Sequence, residues 1–174
     1  PVLDPEDFGD HGSEVEAYLG SAHEDVSRTF NLALMQMRGQ DLNKQIRDGY
    51  LLCRIADTVE DTRFIDGEGK SELLESYAEL VKGHYTGEAG YEDVDEWDME
   101  SVNGDHWDLV RNAHAAFSSY QKFNQGPKID VGQSVKEMAE GMADYVEEGG
   151  IRIEDEDDLF RYCHIVAGTV GDLL

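Results

Sequence analysis

The chain has 174 residues, enough for one domain with a substantial core and without an insert that argues for a second, so a single domain over residues 1–174 is expected. Lys+Arg 14 against Asp+Glu 39 gives a formal net charge of −25, which excludes a nucleic-acid binder that works by releasing counterions from phosphates, and any phosphate partner must be held locally. With 40% hydrophobic residues the chain is not disordered, and an acidic surface adapted to high salt, where screening suppresses self-repulsion, fits the composition.

In chain order, 1–13 is punctuated by Pro, Asp and Gly and reads as irregular. Val15 to Val26 reads as a first short helix. Ser27 opens a second, with Phe30, Leu34 and Met37 on one face and a stop near Gly39. A third starts around Asp41 and runs to the neighbourhood of Phe64–Gly69, where Asp66-Gly-Glu-Gly69 is a turn signal. Ser71 can cap a fourth helix to about Lys82, followed by a Gly-rich acidic loop from Gly83 to Gly104. Leu109, Ala113, Ala116, Phe117 and Tyr120 then carry a helix that ends near Gly126-Pro127. Asp130 and Gln133 resemble a capping box opening a helix through Val135, Met138, Met142 and Val146. The last helix opens with the acidic turn Glu154–Asp158 and continues through Tyr162, Ile165, Val166 and Val170 with no stop signal before Leu174, which reads as part of a longer chain truncated at its C-terminal end. No alternating strand pattern is evident, and the fold class is all-α.

Within the third helix, Tyr50, Arg54, Asp57 and Asp61 are spaced by four, three and four residues and form one polar stripe. Leu51, Leu52, Ile55, Ala56 and Val59 cover the remaining circumference, so the helix is expected to be largely buried, with its polar groups facing a cavity. Asp57, Glu60 and Asp61 repel one another, and a divalent cation relieves that repulsion. Mg²⁺ suits the pattern because it takes one or two protein carboxylates and leaves positions for water and phosphate oxygens. Arg54 places a fixed positive charge beside such an anion. An acidic helix end in a very acidic protein is the plainer reading of the same residues.

A second stretch, Tyr162-Cys-His-Ile-Val-Ala-Gly-Thr-Val-Gly171, puts two glycines inside an apolar helical pattern, each costing about 1 kcal/mol relative to alanine. Something is expected to approach closely there. Tyr162, Val166 and Thr169 share a face that could line an apolar pocket, and tight helix packing with Tyr162 satisfied in the core is the alternative. Cys53 and Cys163 lie in apolar helical stretches and are read as reduced core residues. The six histidines lack zinc-type spacing, and no Gly-rich phosphate loop follows a strand. No apolar run is long enough to cross a membrane and no signal-peptide pattern opens the chain, so a cytoplasmic protein is expected.

Ser27-Arg-Thr-Phe30, Tyr50 to Asp61 with Asp57-Thr-Val-Glu-Asp61, Met138-Ala-Glu-Gly-Met-Ala143, and Tyr162-Cys-His-x-Val-Ala-Gly-x-Val-Gly171 together resemble the squalene/phytoene synthase family in order and approximate spacing. The D-T-V-E-D form of the acidic motif is most similar to the squalene-synthase (farnesyl-diphosphate farnesyltransferase) branch, whereas phytoene and dehydrosqualene synthases more often carry D-D-x-x-D. The resemblance implies an isoprenoid-synthase-type helical bundle and Mg²⁺-dependent head-to-head condensation of two farnesyl diphosphates through presqualene diphosphate, followed by NADPH-dependent reduction to squalene. It implies Asp57, Glu60 and Asp61 as metal ligands, and Ser27, Arg28, Phe30 and Arg54 on the substrate and cofactor side, with Arg28 and Arg54 near the reductant's phosphates. Tyr162 would face the cationic intermediates and assist proton removal, Tyr50 would line the same cavity, and Val166, Ala167 and Gly168 would shape the farnesyl pocket. A lipid product leaves room for peripheral membrane contact. The family's second aspartate-rich motif follows V-A-G-x-V-G and has no counterpart in the 174 residues. The expected chain is thus an N-terminal portion holding half of the metal site, with phytoene or dehydrosqualene synthesis and a non-catalytic helical fragment as the alternatives.

Overall fold

The computed structural model describes residues 12–26, 40–90, 93–94, 107–147 and 150–172. Residues 1–11 of the expected irregular start, the expected helix from Ser27 to Gly39 and much of the expected acidic loop lie outside the described residues, and Gly12 and Ser13, expected to be irregular, are the first residues of a helix.

The described fold is an all-α bundle arranged about one central helix. α1 spans Gly12–Val26. Its Val15, Leu19 and His23 recur every fourth residue and are all buried, so one stripe docks while the acidic remainder stays in solvent. Tyr18 on the next stripe donates its hydroxyl to the Asp108 backbone oxygen at 3.2 Å and carboxylate at 3.1 Å. α2, Gln40–Asp61, is the central helix. Leu51, Leu52, Cys53, Ile55, Ala56 and Val59 are buried around most of its girth, as the sequence pattern requires of a helix enclosed by others.

α3 spans Gly67–Thr86. It begins earlier than the Ser71 start expected from sequence, because the Asp66 carboxylate accepts from the Gly69 backbone N–H at 2.9 Å and so turns the expected turn residues into a cap and a first helical turn. It also runs past Lys82 and stops at Gly87, whose φ of 83° is open to glycine at little cost. Tyr77 in its middle is fully buried and donates to the Leu52 carbonyl of α2 at 2.8 Å.

The helix expected from Leu109 to Gly126 is divided. α4 is Asp108–Arg111 and α5 is Ala113–Tyr120, with Asn112 between them donating its side-chain amide to the Asp108 carbonyl at 2.7 Å. α6, Gln125–Tyr145, follows directly and packs along α3. Gly126-Pro127, expected to end a helix, opens one, because a proline in the first turn lacks only an N–H that has no intrahelical partner anyway. Asp130 is therefore inside α6 and is not its cap. A two-residue antiparallel hairpin, β1 (Val146–Glu147) and β2 (Gly150–Ile151), then reverses the chain; it is too short to alter the all-α class.

α7, Glu156–Cys163, begins at Asp155, whose carboxylate accepts from the Asp158 backbone N–H at 2.9 Å, so the acidic run is a capped first turn as expected. Asp158 in turn accepts the Tyr145 hydroxyl at 2.7 Å, fastening the start of α7 to the end of α6. His164–Gly168 then widens into a turn of π-helix before α8, Thr169–Asp172. α7 is peripheral, and Leu159 and Phe160 are exposed. This corrects one reading of the cysteines: both are free, but only Cys53 is buried, while Cys163 faces outward.

Candidate active site

Residues of α2 three and four apart meet the same space. Tyr50, Cys53, Arg54 and Asp57 form one wall of an open cleft of about 260 Å³, opposite Met138 of α6 and Val166 and Ala167 of the π turn. The cleft is apolar along Met138, Val166 and Ala167 and ends on a charged pair, in which the Arg54 guanidinium donates to the Asp57 carboxylate. Burial raises the Asp57 carboxyl; Arg54 opposes that rise and Asp61 adds to it. Thr58, at the position that distinguishes D-T-V-E-D from D-D-x-x-D, points inward and donates to the Arg54 carbonyl at 2.7 Å, a neutral side chain satisfied on its own helix.

Glu60 stands apart from this cleft. It is 4% exposed, and both its carboxylate oxygens accept from the Tyr162 hydroxyl, at 3.2 and 3.1 Å. Burial pushes the Glu60 carboxyl up to about 7; the Tyr162 hydrogen bond opposes the rise, while Asp57 and Asp61 reinforce it. The Tyr162 phenol is raised above its ordinary value, by burial first and by Glu60 second. Lys70 of α3 donates to the Glu60 backbone carbonyl at 2.6 Å, satisfying an acceptor at the end of α2 that has no helical partner. Asp61, the last residue of α2, is exposed.

Of the residues singled out from sequence, the structure thus gathers Tyr50, Arg54, Asp57, Val166 and Ala167 on one cleft and pairs Glu60 with Tyr162 beside it. Gly168 does not line the cleft. The ring of His164 occupies the space its Cβ would need, so the expected close approach comes from its own helix, and among the described residues nothing approaches Gly171. Ser27, Arg28 and Phe30 lie outside the described residues. Cys53 and Met138 were not assigned to the site from sequence. Cys53 is three residues after Tyr50 and four before Asp57, so the stripe itself carried that signal; Met138 repeats with Val135 and Met142 and is indistinguishable there from core. Lys70 carried no signal.

Among the described residues no three His, Cys, Asp or Glu side chains converge closely enough to hold an ion unaided. The oxygen donors at the end of α2 suit a hard cation that takes one or two carboxylates and completes its shell with water and phosphate oxygens.

An apolar cleft ending on the Arg54–Asp57 pair, within an all-α bundle, fits the class of an isoprenoid-synthase-type fold. The solved complex of TcSQS with a ligand shares it, with a TM-score of 0.73 and 25% identity over 92% of this chain and 43% of that one. The squalene/phytoene synthase profile matches residues 23–174, and the chain belongs to that family. It is similar to the presqualene diphosphate synthase of Botryococcus braunii, 33% identical over 84% of this chain and 32% of the relative. It is also similar to squalene synthase clz20 of Cochliobolus lunatus, 33% identical over 84% of this chain and 33% of the relative. The chain spans about a third of the length of these relatives. Among the described residues no helix is long and apolar enough to cross a membrane.

Proposed function

We propose that the chain supplies the first acidic-motif half of the active site of a squalene synthase, which joins two farnesyl diphosphates head to head through presqualene diphosphate and reduces the product to squalene with NADPH. The observation that carries this reading is the cleft itself: apolar walls of Met138, Val166 and Ala167 run to a terminus of Arg54 and Asp57, which matches an isoprenoid chain ending in a diphosphate. Thr58 in place of a second aspartate favours the squalene branch.

Asp57 and Asp61, one helical turn apart, are the carboxylates that would hold Mg²⁺. Mg²⁺, when bound, supplies Lewis-acid stabilisation of the departing diphosphate. Arg54 sits where its guanidinium can leave Asp57 for a phosphate oxygen, keeping the cleft's charge balanced as the anion arrives. The apolar walls exclude water that would otherwise quench a carbocation. Tyr162 donates its proton to Glu60, which leaves the phenol oxygen's lone pairs free to accept. For the reductive half, Arg54 is the only cationic side chain lining the cleft among the described residues, and it does not make a dinucleotide cradle; NADPH use rests on the family and on the motif around Arg28.

Incubating a full-length protein carrying this chain with farnesyl diphosphate and Mg²⁺ tests the reading. Squalene formed with NADPH is the expected product, and Asp57→Asn or Asp61→Asn is expected to abolish turnover while helicity is kept. Acceptance of a longer diphosphate with no need for NADPH would move the assignment to phytoene synthesis, and no product with either would leave a non-catalytic helical protein.

A further inference from the structure

Between α7 and α8 the helix widens by one residue, and the residue that ends the widened turn also closes it. In an α-helix the Thr169 backbone N–H would donate to the Ile165 carbonyl, four residues back; here it donates to the His164 carbonyl, five back. The Ile165 carbonyl thereby loses its α-helical donor. The Thr169 hydroxyl takes that place and donates to it at 2.5 Å. Thr169 is 7% exposed, so water is a poor substitute for either bond. We infer that Thr169 is a positioning residue of the cleft: its hydroxyl holds the π turn, and the π turn sets Val166 and Ala167 in the apolar wall.

The contacts on either side give the widened turn something to work against. Before it, Tyr162 is held through its hydroxyl by Glu60 and across its ring by Tyr145, at a centroid distance of 5.3 Å. Within it, Ile165 sits over Gly141 of α6, so closely that a Cβ at position 141 would stand 2.6 Å from Ile165 Cγ2. A π turn takes in one residue more than an α turn, so residues beyond it are offset by one position, about 100°, from those before it. Val166 and Ala167 lie inside the turn, where that offset builds up, and they line the cleft opposite Tyr50, Cys53 and Arg54. Thr169 itself does not line the cleft, although an unbroken α-helix would put it on the face of Tyr162 and Val166. Without the hydroxyl, the Ile165 carbonyl regains a donor when the N–H of residue 169 returns to it. That closes the turn to α and swings Val166 and Ala167, because the Tyr162 end is fixed. Valine keeps the shape of threonine without the donor, and serine keeps the donor.

The inference rests on the proposed function in taking the cleft as an isoprenoid site, and its structural arm is independent of that reading. In the crystal structure of the full-length protein carrying Thr169→Val, the N–H of residue 169 is expected on the Ile165 carbonyl, in an α-helical turn; Thr169→Ser is expected to keep the π turn. The second arm uses farnesol, an isoprenoid chain without a diphosphate, titrated calorimetrically into the full-length protein. Its Kd is expected to rise about tenfold in Thr169→Val, the scale of one misplaced apolar contact in a pocket, and to stay within about twofold in Thr169→Ser. Val166→Ala is expected to weaken farnesol binding in the otherwise unchanged protein and to add nothing in Thr169→Val, whose Val166 has already left the wall. Thr169→Ala, which also lacks the hydroxyl and favours a helix, carries the same tests should the valine variant not fold. A π turn retained in Thr169→Val would overturn the inference. So would an unchanged farnesol Kd, or additive effects of Thr169→Val and Val166→Ala, the sign of a hydroxyl that serves stability alone. Failure of the unsubstituted protein to bind farnesol would instead refute the isoprenoid reading of the cleft, and the variant structures would still decide what holds the turn.

Discussion

Gly141 of α6 lies beneath the π turn, and adding one methyl group there tests how the apolar wall of the cleft is held. A Cβ at position 141 would stand 2.6 Å from Ile165 Cγ2 and 3.0 Å from both Cγ1 and Cδ1. Two of those atoms are attached directly to the Ile165 Cβ, so rotating a flexible tip away does not relieve the clash. Two effects oppose each other in Gly141→Ala. Replacing an interior helical glycine by alanine stabilises by roughly 1 kcal/mol, whereas overpacking costs about 1–3 kcal/mol. Overpacking wins, and the net loss is expected to be about 1 kcal/mol, which lowers Tm by roughly 2–4 °C for a chain of this size. The decisive measurement is the double-mutant cycle with Ile165→Ala, by thermal or guanidinium unfolding. Ile165→Ala removes all three clashing atoms, so in that background Gly141→Ala should become stabilising by about 1 kcal/mol, a change of sign and a coupling of about 2 kcal/mol. Val166 and Ala167 adjoin Ile165 and line the cleft, so the single variant should also weaken binding of an isoprenoid chain. The reasoning fails if Gly141→Ala stabilises the otherwise unchanged protein and couples to Ile165 by less than about 0.5 kcal/mol.

Asp48 is fully buried, paired with Arg47 at 2.7 Å and accepting from Ser119 at 2.5 Å, so Asp48→Ala should cost roughly 3–5 kcal/mol in denaturant unfolding, and a loss below about 1 kcal/mol would show that the network is dispensable. His84 is buried, stacked on Phe117 at 4.5 Å, joined to Gln121 at 2.7 Å and near Asp93 and Lys128; burial pulls it down to about 4 from 6.5, so it is neutral in the fold. Its stability contribution is complete above about pH 6.5 and is lost as pH falls toward 4, because in that window the unfolded chain binds the extra proton; about 2 kcal/mol should disappear between pH 7 and pH 5 in wild type and not in His84→Gln. The net charge of −25 should make Tm rise with added salt, and a salt-independent Tm would end the reading of a surface adapted to high ionic strength.

The helical class and the enclosed character of α2 were legible because apolar residues around most of its girth admit few alternatives, and Leu51, Leu52, Ile55, Ala56 and Val59 are all buried. Boundaries were less legible where local chemistry is two-faced. Asp66 serves a turn or a helix cap equally well, and Gly-Pro can end one helix or begin another, as Gly126-Pro127 does in the first turn of α6. The site was legible to the extent that it lies on one helix: Tyr50, Arg54 and Asp57 follow from 3.6-residue spacing alone. Contacts between helices were not. That Glu60 meets Tyr162, 102 positions away, and that Lys70 meets the Glu60 carbonyl depend on packing that no single helix encodes. Cys163 shows the reverse failure, since an apolar neighbourhood in sequence became an outward face on a peripheral helix.

On the proposed function, the Arg54–Asp57 pair would let so acidic a molecule accept a diphosphate. A free polyanion meets unfavourable potential over most of the surface, and a lone cation entering the cleft meets a guanidinium already bonded to the nearest carboxylate. Either ion alone therefore gains little. An anion arriving together with its counter-cation changes both sides at once, because the guanidinium that leaves Asp57 finds a phosphate oxygen and the carboxylate it leaves finds the cation. Partly buried Asp57, whose carboxyl is raised by burial, loses least when its partner is replaced by a stronger one. On that reading, selectivity for the paired ions over either alone would follow from three side chains on one helical stripe, Arg54, Asp57 and Asp61, without any net positive charge on the protein.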